Sequence, residues 1–294
     1  MERLQSRAVE HNIVEHGEYA FKMKDLIKIS GIIKADAGIV VSQAKANLVY
    51  SRLAKRIRKL GLSDFSQYCD LVESKEGCVE RKEMIAALTT NVTGFFRESY
   101  HFDYLRKNIF PNLIRRAKAG DRIRLWSAAC SSGQEPYSMA LVLLQDFPEA
   151  SQYDIRILAT DIDENILAVA TRGIYDVSSV RLVPEGLRQK WFKFCDDNQK
   201  YFKIHDEVRE LVVFRPLNLI GNWPMKAKFQ VVFCRNVVIY FDNQTQEELW
   251  SRFVNILDEN GALCIGHSER ITGQAAQHFC SDGITSYLKK RVKP

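Results

Sequence analysis

No run in this sequence approaches the roughly 18 apolar residues that a membrane-spanning helix needs, so no direct membrane insertion is expected. The opening MERLQSRAVEHNIVEHGEY has no apolar segment of the kind a secretory signal carries. Cys69, Cys78, Cys130, Cys195, Cys234, Cys264 and Cys280 are odd in number and include no CxxC pair. That spacing argues against a disulfide framework and against a zinc site, so we expect reduced thiols, a cytoplasmic protein and no metal. There is no internal repeat and no low-complexity tract. The net charge of +6 over 294 residues is too mild to mark a nucleic-acid binder. Hydrophobic residues at 46% supply a core that needs no covalent staple.

The first part of the chain reads as helical. Residues 1–20 carry little apolar periodicity and are expected to form a disordered tail. KANLVYSRLAKRIRKLG places Val49, Leu53, Ile57 and Leu60 on one stripe, with Gly61 as its stop. Ser63 looks like the N-cap of a helix through Phe65, Tyr68 and Leu71, and a further helix is expected over Arg81 to Leu88. After Gly120 apolar runs alternate with amphipathic helices: RIRLWSAAC, DIRILATDID, FQVVFCRNVVIYF, GALCIGHSE and ITSYLKKR. Such alternation predicts an α/β domain with a parallel sheet covered on both faces. Between about 174 and 213, the helix PEGLRQKWFKF and the strand-like KYFKIHD and RELVVF break the rhythm, which predicts a small inserted β subdomain.

Open α/β sheets bind ligands at the carboxyl ends of their strands. The first strand ends in SAACSSGQEPYS, where small residues allow close backbone approach and Pro136 suits the first turn of a helix. GxGxxG is absent, and Glu135 would repel a phosphate while welcoming a cation; it also suits a helix start on dipole grounds alone. The second strand ends in Asp161, the usual partner of ribose hydroxyls, with Asp163 two residues on as an N-cap. A ribose site unsuited to pyrophosphate matches S-adenosylmethionine, which carries a sulfonium and an ammonium and no phosphate.

NVTGFFRE (91–98), SAACSSGQEPYS (127–138), ATDID (159–163), FCRNVVIYF (233–241) and GHSE (266–269) together resemble the CheR family of chemotaxis receptor methyltransferases, from about Phe21 to the C-terminus. Gln134 departs from the second acid common before EPYS, leaving Glu135 in register. The resemblance implies a Rossmann-like methyltransferase domain (106–294) behind an all-α docking domain (21–90), joined by a linker (91–105). It further implies that Asn91, Thr93 and Arg97 fold over the cofactor, that Glu135 receives its ammonium and that Asp161 receives its ribose. Asn218 and Leu219 would flank the adenine, Cys234, Arg235 and Asn236 line the remaining wall, and Tyr240 lies near the transferred methyl. Without the family pattern, Asn218 reads as a turn residue and Tyr240 as a core aromatic, while Arg97 reads equally as a carboxylate clamp or a solvated linker charge.

The implied acceptor is a receptor glutamate, ionised at neutral pH with a pKa of about 4.3, so transfer needs positioning and no general base. No His-centred dyad is evident in these motifs, and His267 reads as a packed or capping residue. Lys45, Arg52, Lys55, Arg56, Arg58 and Lys59 lie in a segment free of Asp and Glu. By composition this is a solvated face, a nucleic-acid surface or a docking face for an acidic helix. The resemblance favours the last, with methyl-accepting receptors as partners, arrays at the inner membrane as the place of recruitment, and the inserted subdomain as a second docking element. Methylation of another anionic or nucleic-acid substrate, and a non-catalytic adaptor, are the competing readings; no nucleic-acid motif is visible, and Arg97, Glu135, Asp161 and Tyr240 are all present.

Overall fold

The structure, a computed structural model, describes residues 13–14 and 17–291, so most of the tail expected over 1–20 lies outside the described residues. The chain divides into two compact units, Met1–Thr90 and Asn91–Pro294.

Among the described residues the first unit holds four α-helices: α1 (Met23–Ala37), α2 (Ala46–Leu60), α3 (Phe65–Glu73) and α4 (Cys78–Leu88). On α2, Val49, Leu53 and Ile57 are buried as their spacing requires. Leu60 is exposed, because Gly61 at φ 67° ends the helix there. Asp64, and not Ser63, caps α3 by accepting from the Gln67 amide at 2.9 Å. The amide of Ser63 instead donates to Gln67 Oε1 at 3.1 Å, so the reciprocal cap sits one residue later than expected. Helix α4 starts three residues earlier than its apolar pattern suggests. Gly77 precedes it, where a Cβ would stand 1.9 Å from the Leu71 carbonyl oxygen.

The acid-free segment is not one uniform solvated face. Arg52 donates through Nη1 to the carbonyls of Leu88 and Thr89 at 2.8 and 2.7 Å, closing the end of α4. Arg56 lies between Glu80 and Glu83 of α4, and Arg58 pairs with Glu18. The acids come from elsewhere in the unit, which the local sequence does not reveal. Lys45, Lys55 and Lys59 are exposed.

The second unit carries, in chain order, α5 (Tyr100–Tyr104), a π-turn (Leu105–Ile109), α6 (Phe110–Lys118), β1 (Ile123–Ala128), α7 (Gln134–Asp146), β2 (Ile155–Asp161) and α8 (Glu164–Arg172). Then come β3 (Ile174–Asp176), α9 (Glu185–Trp191), β4 (Phe192–Phe194), β5 (Tyr201–Ile204), α10 (Asp206–Arg209) and β6 (Val212–Pro216). The unit finishes with β7 (Phe229–Cys234), α11 (Asn243–Ile256), β8 (Leu257–Ile265), β9 (Phe279–Gly283) and β10 (Ser286–Lys289). The main sheet runs β6-β2-β1-β7-β8-β10-β9. Its first five strands are parallel, while β10 pairs antiparallel with both β8 and β9. Every residue of β7 is buried, as expected of a strand covered on both faces.

The inserted sheet is β3-β5-β4, antiparallel throughout. Four details differ from the sequence reading. RELVVF supplies β6, which pairs with β2 in the main sheet and not with the insertion. The third inserted strand is β3 instead. The final FKF of the expected helix is strand β4, and β9 had no counterpart in the apolar pattern, since only Phe279 in it is buried.

Candidate cofactor and methyl-transfer site

Strand order reverses between β1 and its neighbour β7, because the chain builds outward to β6 on one side before returning to β7 on the other. The carboxyl ends of these strands therefore flank the crevice where an open α/β sheet takes its ligand. Backbone strain gathers in the adjoining loops. Phe96, Glu98, Ala129, Ser131 and Asn236 all hold φ between 51° and 65°, a left-handed conformation that non-glycine residues adopt only when their surroundings impose it.

One polar network lies behind β1 and β7. Glu135, in the first turn of α7, accepts from Ser127 Oγ at 2.7 Å and from Arg235 Nη1 at 3.0 Å. The Arg235 side chain is 2% exposed, and its Nη2 lies 3.2 Å from Glu98 Oε2 and also donates to the Arg97 carbonyl. Glu98 further accepts from Asn236 Nδ2 at 3.2 Å and pairs with His267 Nδ1 at 3.0 Å. Burial pushes the Glu135 carboxyl up, opposed by Arg235 and Ser127. Burial acts on Glu98 in the same direction, but Arg235, His267 and Asn236 together bring it down to about 2.

A second network lies at the end of β2. Asp161 is buried and accepts from the amides of Ser131 at 2.8 Å and Asp163 at 3.0 Å. Burial raises its pKa against those N–H donors. The carboxylate keeps acceptor capacity beyond these amides for a hydroxyl donor. Asp163 caps α8 through the amides of Asn165 and Ile166, and its other oxygen accepts from Asn91 Nδ2 at 3.0 Å. The Asn91 carbonyl in turn accepts from Ser131 Oγ. Beyond β6, the Leu217 amide donates to the Asp161 carbonyl, which brings the Asn218 turn beside this network. Asn218 Oδ1 accepts from the Ile220 amide, and Leu219 is buried.

Tyr240 ends a short turn, Val238–Tyr240, that follows β7. That turn is tied down by Glu269, which accepts from the amides of Val237 and Val238 at 3.0 Å and of Gly266 at 2.6 Å. Gly266 admits no side chain, since a Cβ would sit 2.8 Å from the Asn236 amide nitrogen and from Glu269 Oε2. Arg97 donates through Nη1 to the Val92 carbonyl at 2.8 Å, and Thr93 is half-buried. Cys234 is fully buried, and burial raises its thiol pKa far enough to keep it protonated and unreactive.

The first network thus unites Glu135, Arg235, Asn236 and the Arg97 backbone, and the second unites Asp161 and Asn91 with Asn218 nearby. Three residues without an assigned role in the sequence reading prove central: Glu98, Glu269 and Ser127. Glu98 and Glu269 close two of the quoted motifs, the one signal that pointed to them. His267 is neither packed nor a cap: its side chain is 67% exposed and faces Glu98, making a His–carboxylate pair that the motifs concealed.

Carboxylates beside the ends of β1 and β2, and a strained loop without a phosphate-cradling glycine run, suit a ribose-bearing cation better than a dinucleotide. This arrangement defines an α/β methyltransferase. Residues 91–288 match the family described as CheR methyltransferase, SAM binding domain, and residues 24–89 match CheR methyltransferase, all-alpha domain. The chain belongs to the CheR methyltransferase family, and its cofactor is S-adenosylmethionine. It is 51% identical to a probable chemotaxis protein methyltransferase of Rhizobium etli over 87% of this chain and 96% of the relative. It is 38% identical to the chemotaxis protein methyltransferase of Escherichia coli over 88% of each chain. With that of Borreliella burgdorferi the identity is 36%, over 85% of this chain and 89% of the relative. Among the described residues no helix is long and apolar enough to cross a membrane.

Proposed function

We propose that this methyltransferase esterifies glutamate side chains of methyl-accepting chemotaxis receptors. Arg97 carries the reading. Its guanidinium rests on a neutral carbonyl in the strained linker, so its charge remains available to a substrate carboxylate, whereas Arg235 is already held by two carboxylates. In methyl transfer to a carboxylate, one O–C bond forms and one C–S bond breaks with its electron pair left on sulfur, so no proton moves.

In this reading Glu135 holds the cofactor's ammonium and Asp161 its ribose, with Asn218 and Leu219 along the adenine. Asn91 and Thr93 cover it, and Cys234, Arg235 and Asn236 form the wall. Arg97 and the Tyr240 hydroxyl orient the acceptor carboxylate. The helical unit docks the receptor through the exposed lysines of α2, with the inserted sheet as a second docking element, and recruitment is to receptor arrays at the inner membrane. Incubation with radiolabelled S-adenosylmethionine and receptor-rich membranes should leave base-labile label on the receptors; label that survives base overturns the ester. Arg97→Ala should lower turnover by roughly 100-fold or more, the scale of lost positioning at reacting atoms, and Tyr240→Phe by less.

The His267–Glu98 pair favours one alternative, base-assisted transfer to a less acidic acceptor. A wild-type rate rising about tenfold per pH unit, and flattened in His267→Gln, would select it. A flat profile from pH 6 to 9 supports the carboxylate acceptor.

A further inference from the structure

Glu135 does not face the site as a lone anion. Its Oε2 is 3.0 Å from Arg235, and a carboxylate–guanidinium pair carries no net charge with which to attract an ammonium. Glu98 changes that balance. It approaches the other arm of the same guanidinium at 3.2 Å, so the trio holds two negative charges and one positive. All three groups are shielded from water: the Arg235 side chain is 2% exposed and each carboxylate 12%. In such surroundings a charge on one member is felt strongly by the others. Glu98 is also fixed from three further directions, by Asn236 Nδ2, His267 Nδ1 and Tyr100 Oη, and its own backbone is left-handed at φ 55°. The linker is thus held in a conformation whose evident result is to set this carboxylate against Arg235.

We propose that Glu98 is a positioning and selectivity residue that neutralises Arg235, so that Glu135 keeps a net negative charge for the cofactor's ammonium. The inference rests on the reading of Glu135 as the ammonium's receiver. Two ligands separate charge from architecture. S-adenosylhomocysteine carries the ammonium. 5′-Methylthioadenosine has the same adenine, ribose and thioether but lacks the amino-acid end.

Calorimetric titration of Glu98→Gln should show S-adenosylhomocysteine affinity reduced roughly tenfold or more, the scale of an interaction with a charged partner. Methylthioadenosine affinity should stay within about threefold of wild type. Glu98→Asp, which retains the charge, should keep the wild-type ratio of the two affinities even if both shift, and it provides the test should Glu98→Gln not fold. Equal weakening of both ligands in Glu98→Gln, or a collapsed ratio in Glu98→Asp, overturns the proposal. Glu135→Gln distinguishes the two levels of failure. If it binds S-adenosylhomocysteine as tightly as wild type, the ammonium assignment falls and this inference with it. If it loses that affinity while Glu98→Gln does not, only the role of Glu98 is overturned.

Discussion

Arg56 in the helical unit and Arg235 in the α/β unit are built from the same parts, one guanidinium between two carboxylates. Arg56 stands against Glu80 and Glu83, which lie three residues apart on one face of a regular helix. Tyr68 adds a hydroxyl to Glu80 at 2.8 Å, and Glu83 reaches water at 35% exposure. Arg235 instead draws Glu98 from a left-handed linker and Glu135 from the first turn of α7, and its own Nε has no hydrogen-bond partner. The first cluster satisfies its members with ordinary backbone and ends as a fastening between helices. The second requires strained backbone and leaves one donor of its guanidinium without a partner, so its geometry is not explained by fastening alone. Charge inventory alone would not tell them apart.

The contrast is most sharply tested by removing each arginine. Arg235→Ala leaves two buried carboxylates without their cation and should destabilise the α/β unit by roughly 3–5 kcal/mol, with S-adenosylhomocysteine binding abolished. Denaturant unfolding and calorimetry measure the two effects. Arg56→Ala should cost about 1–3 kcal/mol, because Glu80 keeps Tyr68 and Glu83 keeps water, and cofactor affinity should not move. A matching loss of cofactor affinity in Arg56→Ala would erase the distinction.

Acid provides a smaller test. Glu98 titrates near 2 in the folded protein against an ordinary 4.5, so between those values the unfolded chain binds more protons. Its contribution to stability is complete above about 4.5 and is lost as pH falls toward 2. The acid limb of the α/β unit's stability should therefore be shallower in Glu98→Gln; an unchanged limb would mean Glu98 is not held ionised. The smallest stability effect belongs to Lys59→Glu, within about 0.5 kcal/mol for an exposed site. The same change should slow receptor methylation and weaken its salt dependence if the lysines of α2 dock an acidic helix; an unaltered rate makes them solvated charges.

Much of the sheet was legible because burial on both faces writes continuous apolar runs, as in FQVVFC and RIRLWSA. Of the candidate site acids, Asp161 stood out for a related reason, since it closes the apolar run of β2, whereas Glu135 lies beyond the β1 loop in the first turn of α7. What the sequence hid were pairings between distant segments. The acids that meet Arg56 lie on another helix, and β6 looked like part of the insertion because its partner β2 precedes the whole excursion. Glu98 and Glu269 stood in plain view inside their motifs, but their roles depend on atoms supplied by residues far away in the chain.

The excursion between α8 and β6 has one further consequence. The Ile204 amide donates to the Gly173 carbonyl at 2.9 Å, so the entrance and exit of the three-stranded insertion touch. For the main sheet, the connection from β2 to β6 then behaves as α8 followed by a brief turn, however long the inserted chain. Loop-closure entropy grows only slowly with such a length, and a pinched neck reduces its effect on strand pairing further. Length can therefore vary at the far tip of the insertion with little effect on the register of β6 on β2, while its root stays fixed: Tyr175 donates to the Ser132 carbonyl at 2.6 Å, and Tyr175, Leu187, Trp191 and Phe192 pack in the core of the unit.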